Sequence, residues 1–174
     1  MVTHERFGIW LCKNCTFRFT NPRPEPFEIQ RYYDSEEYIS HSDSGKGIIN
    51  RLYKNVRNLT LASKLNLLKR VKPIKGKILD IGAGTGFFLN NCREKGWDVT
   101  GMEPGASARL FAKNKFGFNL LNETEWEKIS TGNQDVITLW HVLEHIDDLK
   151  SVFENINRVL KKEGILIIAV PNHL

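Results

Sequence analysis

The stretch "KILDIGAGTGFFLNNC", residues 77–92, is the strongest constraint on this chain. An apolar run ends in Asp80, three glycines follow at alternating positions (82, 84 and 86), and a helix-forming segment begins at once. A strand, a tight glycine turn and a helix N-terminus place backbone N–H groups and the helix dipole at one point, which suits a polar or anionic ligand. A dinucleotide fingerprint, G-x-G-x-x-G, would need its third glycine at position 87, where this chain has Phe87.

Downstream the texture alternates. "FFLNNCREKG" reads as a helix closed by Gly96, "WDVTGMEP" as a strand, "GASARLFAKNKFG" as a helix and "FNLL" as a weak third strand. "DVITLWHV" follows as a strand, "DLKSVFENINRVLKKEG" as a helix and "ILIIAVP" as a fifth strand. Strands separated by helices of about a dozen residues predict β-α-β units, an α/β, Rossmann-like doubly wound and mainly parallel sheet.

Upstream, residues 46–71 place Ile49, Leu52, Tyr53, Val56, Leu59, Leu65 and Leu68 near a helical period, predicting an amphipathic helix broken once around Leu61. Residues 1–45 read as a separate extension, with Cys12 and Cys15, then "TNPRPEP", whose prolines exclude helix, then a Tyr-rich polar stretch. The expected division is therefore 1–45 and 46–174.

Charge and cysteine content narrow the class. The 174 residues carry a formal charge of +5, and from Lys46 to Leu79 every charged residue is Lys or Arg. Such a run is a solvated basic face or an attraction for an acidic partner. No aromatic-interleaved basic tract favours nucleic acid. Apolar runs such as "ILIIAV" are too short to span a membrane, the N-terminus lacks a signal-like apolar core, and three cysteines cannot all pair, so a cytoplasmic protein is expected.

Asp80-x-Gly82-x-Gly84-x-Gly86, Glu103 at the end of the next strand and "DVITLWHVLEHIDD" together resemble the class I S-adenosylmethionine-dependent methyltransferases over residues 46–174. The resemblance implies that Asp80 and the turn Gly82, Ala83, Gly84 and Gly86 face the methionine part of the cofactor S-adenosylmethionine. It implies that Glu103 accepts the ribose hydroxyls, with Met102 or Pro104 against the adenine. Glu123 in "LLNETEW" is the candidate partner of the adenine amino group, and Leu139, Trp140 and His141 would lie against the methionine end. An acid at position 80 suits sulfonium and ammonium cations better than a pyrophosphate. Each acid also has a plainer reading, Asp80 as a helix cap and Glu103 or Glu123 as surface carboxylates.

Methyl transfer from a sulfonium needs alignment and desolvation above all, and a general base only for a hydroxyl or carbon acid. His141 and His145, just beyond the fourth expected strand, are the candidate bases. "HVLEH" also matches the H-x-x-E-H zinc-peptidase pattern, which needs a helix that this segment has little room to form. A divalent metal in a segment similar to E-x-x-E-H, and a purely structural role for Glu144 and His145, are the other readings. The acceptor implied is a small molecule, and the "NPRP" segment resembles relatives in sugar or cell-surface polysaccharide metabolism.

"LCKNC" resembles the second knuckle of a zinc ribbon, making Cys12 and Cys15 a candidate half-site for zinc, with His4 or His41 able to complete it; Cys92 reads as a core thiol. The sheet is expected to stop after five strands, as in a truncated product, leaving "ILIIAV" as an apolar edge met by a second copy of the chain or by the N-terminal segment. Two further functions remain open: an NAD-linked oxidoreductase, and a binding module that holds the cofactor, or acts as a zinc-ribbon adaptor, without turnover.

Overall fold

The computed structural model describes residues 6–23 and 48–172, with side chains from residue 55 in the second span. Two compact units, Met1–Ser44 and Gly45–Leu174, divide the chain. In the first, β1 (Gly8–Leu11) and β2 (Arg18–Asn21) form an antiparallel hairpin. Cys12 and Cys15 lie in its turn, where Cys12 N donates to Phe17 O and Thr16 N to Cys12 O, each at 2.8 Å.

The second unit opens with α1 (Ile48–Val71) and continues as β3 (Lys77–Ile81), α2 (Phe87–Glu94), β4 (Asp98–Met102) and α3 (Ala106–Phe116). Then come β5 (Gln134–Trp140), α4 (Leu149–Val159) and β6 (Leu160–Ala169). The four strands are parallel, in the order β4-β3-β5-β6. The chain steps outward from β3 to β4 and then returns to the other side of β3, so the order reverses between β3 and β5. A crevice opens at such a reversal, beyond the carboxyl ends of the two strands.

Alternation along β3 feeds both faces of the sheet. Ile78 packs with Leu61 and Leu68 of α1 and Phe88 and Cys92 of α2, whereas Leu79 and Ile81 pack with Ile156 and Val159 of α4. Strands covered on both sides are apolar nearly throughout, which makes Asp80 and Thr138, both buried within this sheet, exceptional.

Four expectations are corrected. Helix α1 is unbroken at Leu61: Thr60 satisfies its own hydroxyl by donating to Val56 O at 3.0 Å, and no Gly or Pro interrupts the ladder. Val56 and Leu59 are 54% and 72% exposed, so the buried stripe runs through Leu61, Leu65 and Leu68 instead. Ile49, Leu52 and Tyr53 lie outside the residues whose side chains are described. "FNLL" forms no strand; Leu121 alone bridges to Met102, its N–H donating to Gly101 O of β4 and its carbonyl accepting from Glu103 N just beyond, each at 2.9 Å. Helix α4 stops at Val159, and "LKKEG" becomes the first half of β6, joined to β5 through a register shift between Gln134 and Val136.

Candidate functional site

Asp80 lies one residue from the end of β3, in register with Gly101 on one side and Thr138 on the other. It is 2% exposed and accepts a hydrogen bond from Thr138 Oγ1 at 2.6 Å. Burial drives its carboxyl up to about 7, with the charge of Glu103 adding to the effect; the Thr138 hydroxyl and the nearby Lys64 ammonium oppose it.

The glycine turn that follows serves three different contacts. Gly82 has φ +70°, and a Cβ there would be driven into the side chain of Val142. Gly84, at φ +53°, donates its N–H to Glu103 Oε2 at 2.8 Å. Gly86 is buried against Ala112 and Phe118. Of the three, Gly84 joins the turn to the carboxylate on the next strand, while Gly82 and Gly86 admit protein side chains. Ala83 ties the turn to β4, its N–H donating to Met102 O at 2.9 Å.

Glu103 follows β4 directly. Its second oxygen, Oε1, accepts from Gly105 N at 2.9 Å. Its backbone carbonyl accepts from Arg109 Nη1 at 2.7 Å, and the same nitrogen donates to Pro104 O. Burial raises the Glu103 carboxyl, against the lowering influence of the Gly105 and Gly84 amides and of Arg109. Pro104 is exposed beside it, whereas Met102 is buried in the core at 1% exposure.

The acids of "NETEWE" are sorted by their partners. Glu125 Oε2 accepts from Asn122 N at 2.8 Å and its other oxygen pairs with Lys128, so it closes a turn. Glu123 is exposed, and its charge is felt at Glu103.

At the end of β5 the three expected residues separate. Leu139 is fully buried in the core. Trp140 packs edge-on against Phe88, ring centroids 5.6 Å apart, and its buried Nε1 donor has no acceptor among the described residues. His141 is exposed in the left-handed region (φ +57°), held by its N–H to Ala169 O at 2.8 Å; its Nδ1 lies 3.7 Å from Glu144 Oε1. Leu143–His145 is one turn of 3-10 helix, so the helix on which H-x-x-E-H would gather metal ligands is not formed. His145 is exposed within that turn. Among the described residues no group of three or more His, Cys, Asp and Glu side chains could hold a metal ion. Cys12 and Cys15 therefore stand as two thiols, short of the four ligands of a closed zinc site. His4 and His41 lie outside the described residues.

Two contributors escaped the motif reading. Lys64 of α1 places its Nζ 4.7 Å from the Trp140 ring centroid and 5.6 Å from that of Phe88, near the buried Asp80; burial lowers its ammonium and the Asp80 charge opposes this. Thr138 is the other. Each left a trace in the sequence: a lysine on the apolar stripe of a helix, and a hydroxyl inside an apolar strand.

A parallel sheet with a reversal point, an acid buried beside it, a glycine turn, and a second acid anchored to that turn from the next strand define the Rossmann-like fold of the class I S-adenosylmethionine-dependent methyltransferases. Residues 52–174 match the family described as "Methyltransferase domain", and the chain belongs to that family. It is 32% identical over 108 residues to the ubiquinone biosynthesis O-methyltransferase of Glaesserella parasuis, an overlap of 55% of this chain and 45% of that protein. The chain thus spans less than half the length of that curated relative. A SAM-dependent methyltransferase from Archaeoglobus fulgidus superposes with a TM-score of 0.56 at 26% identity, covering 67% of this chain and 54% of that one. The Haemonchus contortus phosphoethanolamine N-methyltransferase 2, solved in complex with S-adenosyl-L-methionine, gives 0.52 at 26% identity, over 61% of this chain and 27% of the other.

Proposed function

We propose that this domain binds S-adenosylmethionine in the crevice above β3 and β5 and that the protein transfers its methyl group to a small-molecule acceptor. The observation that carries this reading is the setting of Glu103. Each carboxylate oxygen takes one backbone N–H, from Gly84 and from Gly105. A carboxylate has about four acceptor positions, so both oxygens keep capacity for the paired hydroxyls of a ribose. The amides fix the carboxylate in place before the ligand arrives, and exposed Pro104 offers a flat apolar surface to the adenine. Glu123, exposed and close enough for its charge to act on Glu103, is the proposed partner of the adenine amino group.

At the other end of the crevice Asp80 and Lys64 form an acid and a base near one another. This pair suits a zwitterion: Asp80 for the cofactor's ammonium, Lys64 and the free Trp140 N–H for its carboxylate. A nucleotide diphosphate would instead bring its charge toward a buried acid, which disfavours NAD.

The bound sulfonium supplies the methyl group and a neutral thioether leaving group. The chain's own task is alignment, exclusion of water and, for a hydroxyl acceptor, removal of its proton. His141, exposed beyond β5 with Glu144 beside Nδ1, is the proposed base, and His145 the second candidate. A hydroxyl acceptor agrees with the O-methyltransferase name of the relative. A sugar or polysaccharide precursor is our narrower reading, supported by the likeness of the "NPRP" segment.

Calorimetry with S-adenosylmethionine, S-adenosylhomocysteine and NAD tests the cofactor: the first two bind and NAD is silent. NAD binding with the others silent would refute the reading. Turnover on a panel of hydroxyl-bearing sugars then tests the acceptor, and binding without turnover on any acceptor would favour the non-catalytic module.

A further inference from the structure

A buried carboxylate is stable only when its lone pairs are met. Among the described residues the Asp80 carboxyl accepts a single hydrogen bond, from Thr138 Oγ1. The two residues are 58 positions apart and meet because β3 and β5 pair in the register that sets Asp80 opposite Thr138. Thr138 is 0% exposed, so no solvent competes for its hydroxyl. Among the described residues no hydrogen-bond donor is paired with its other oxygen, and the nearest favourable charge is that of Lys64.

We propose that Thr138 is a positioning residue for cofactor capture: its hydroxyl holds one Asp80 oxygen and leaves the other for the cationic amino-acid end of the cofactor. The proposal rests on the cofactor reading above and adds to it the residue that prepares the acid. A valine at this position would match the shape and leave Asp80 with no hydrogen-bond donor among the described residues.

The groups that face Asp80 define how its charge responds to pH. Lys64 of α1 favours the ionised form, and Glu103 beyond β4 disfavours it. The Cys92 thiol of α2, pushed up to about 12 chiefly by burial, is neutral near Asp80 and adds no charge. On β5 the facing group is the Thr138 hydroxyl, which favours the ionised form by donating to it. Removing that hydroxyl therefore shifts Asp80 toward its neutral form.

The test follows the Asp80 carboxyl carbon by NMR across pH in the ligand-free protein, for wild type, Thr138→Val and Thr138→Ser. The valine variant is expected to titrate at higher pH and the serine variant near wild type. An unchanged midpoint in Thr138→Val overturns the proposal, whatever the ligand. In parallel, S-adenosylmethionine affinity should fall on the order of tenfold in Thr138→Val at pH 6.5 and recover most of that loss at pH 8.5. A purely structural role would lower affinity equally at both pH values, which also overturns it. Failure of the wild type to bind S-adenosylmethionine would sink the cofactor reading, and the carboxyl titration would still judge Thr138.

Discussion

Gly84 N donates to Glu103 Oε2 at 2.8 Å across 19 residues of chain, and with the Ala83 N–H on Met102 O this bond joins the glycine turn to the end of the neighbouring strand. The acid expected to hold the ribose thus also fastens the loop beneath it. Replacing Glu103 with Gln keeps the shape and one acceptor oxygen but removes the charge. Affinity for S-adenosylmethionine should drop by about 1.5–3 kcal/mol in calorimetry, the loss of hydrogen bonds to a charged group. Unchanged affinity would remove Glu103 from the site.

A Cβ at Gly82 would meet the side chain of Val142. Gly82→Ala would place a methyl group in the Val142 side chain and force an L-residue to φ +70°. The expected cost is about 2–4 kcal/mol of stability in urea unfolding. Adding Val142→Ala should recover the steric part and leave the backbone part. If the double variant were no more stable than the single, the contact would not be the cause.

The raised Asp80 carboxyl sets the pH behaviour. Its ordinary value is 3.8 and burial carries it to about 7, so between these the folded state binds more protons than the unfolded one. Stability of the ligand-free protein should therefore fall as pH rises through this window. A cationic ligand prefers the ionised acid, so the thermal shift produced by S-adenosylmethionine should grow from pH 5.5 to pH 8. A shift independent of pH would place the cation elsewhere.

Lys64→Met removes the cation over Trp140 while preserving an apolar stem of similar length. S-adenosylmethionine and S-adenosylhomocysteine share the same carboxylate, so both should lose affinity alike, by about 1–3 kcal/mol. Loss confined to one of them would mean that Lys64 senses the sulfonium charge rather than the carboxylate.

Strand β6 pairs only with β5 among the described residues, and Ile168 and Val170 are 37% and 50% exposed. A second copy meeting this edge should appear as a concentration-dependent dimer in light scattering after gel filtration. Lys substituted at Ile168 should return it to monomer. A monomer at all concentrations would discard the dimer.

Much of the architecture was readable along the chain. The spans of β3, α2, β4, α3 and β5 follow from apolar periodicity and closing glycines, and the acids at 80 and 103 follow from their positions at strand ends. The failures were local competitions. "LKKEG" has good helix formers, yet Leu160 pairs with Gln134 of β5 and the chain runs on as strand through the register shift that follows. "FNLL" is apolar enough for a strand, but only Leu121 reaches the edge of β4. Val56 and Leu59 fit a helical period, but which stripe of α1 is buried depends on the sheet it lies against.

Local order is a matter of neighbours a few residues apart, so the alternation of strand and helix, the glycine turn and the two acids could be inferred from residue order alone. The chemistry of the crevice could not. Thr138 meets Asp80, Lys64 overhangs Trp140, and Val142 fills the space above Gly82 only once strand order and register bring distant segments together. Burial then acts on the assembled group, raising the Asp80 carboxyl and lowering the Lys64 ammonium, because desolvation belongs to a place in the fold and not to a position in the sequence.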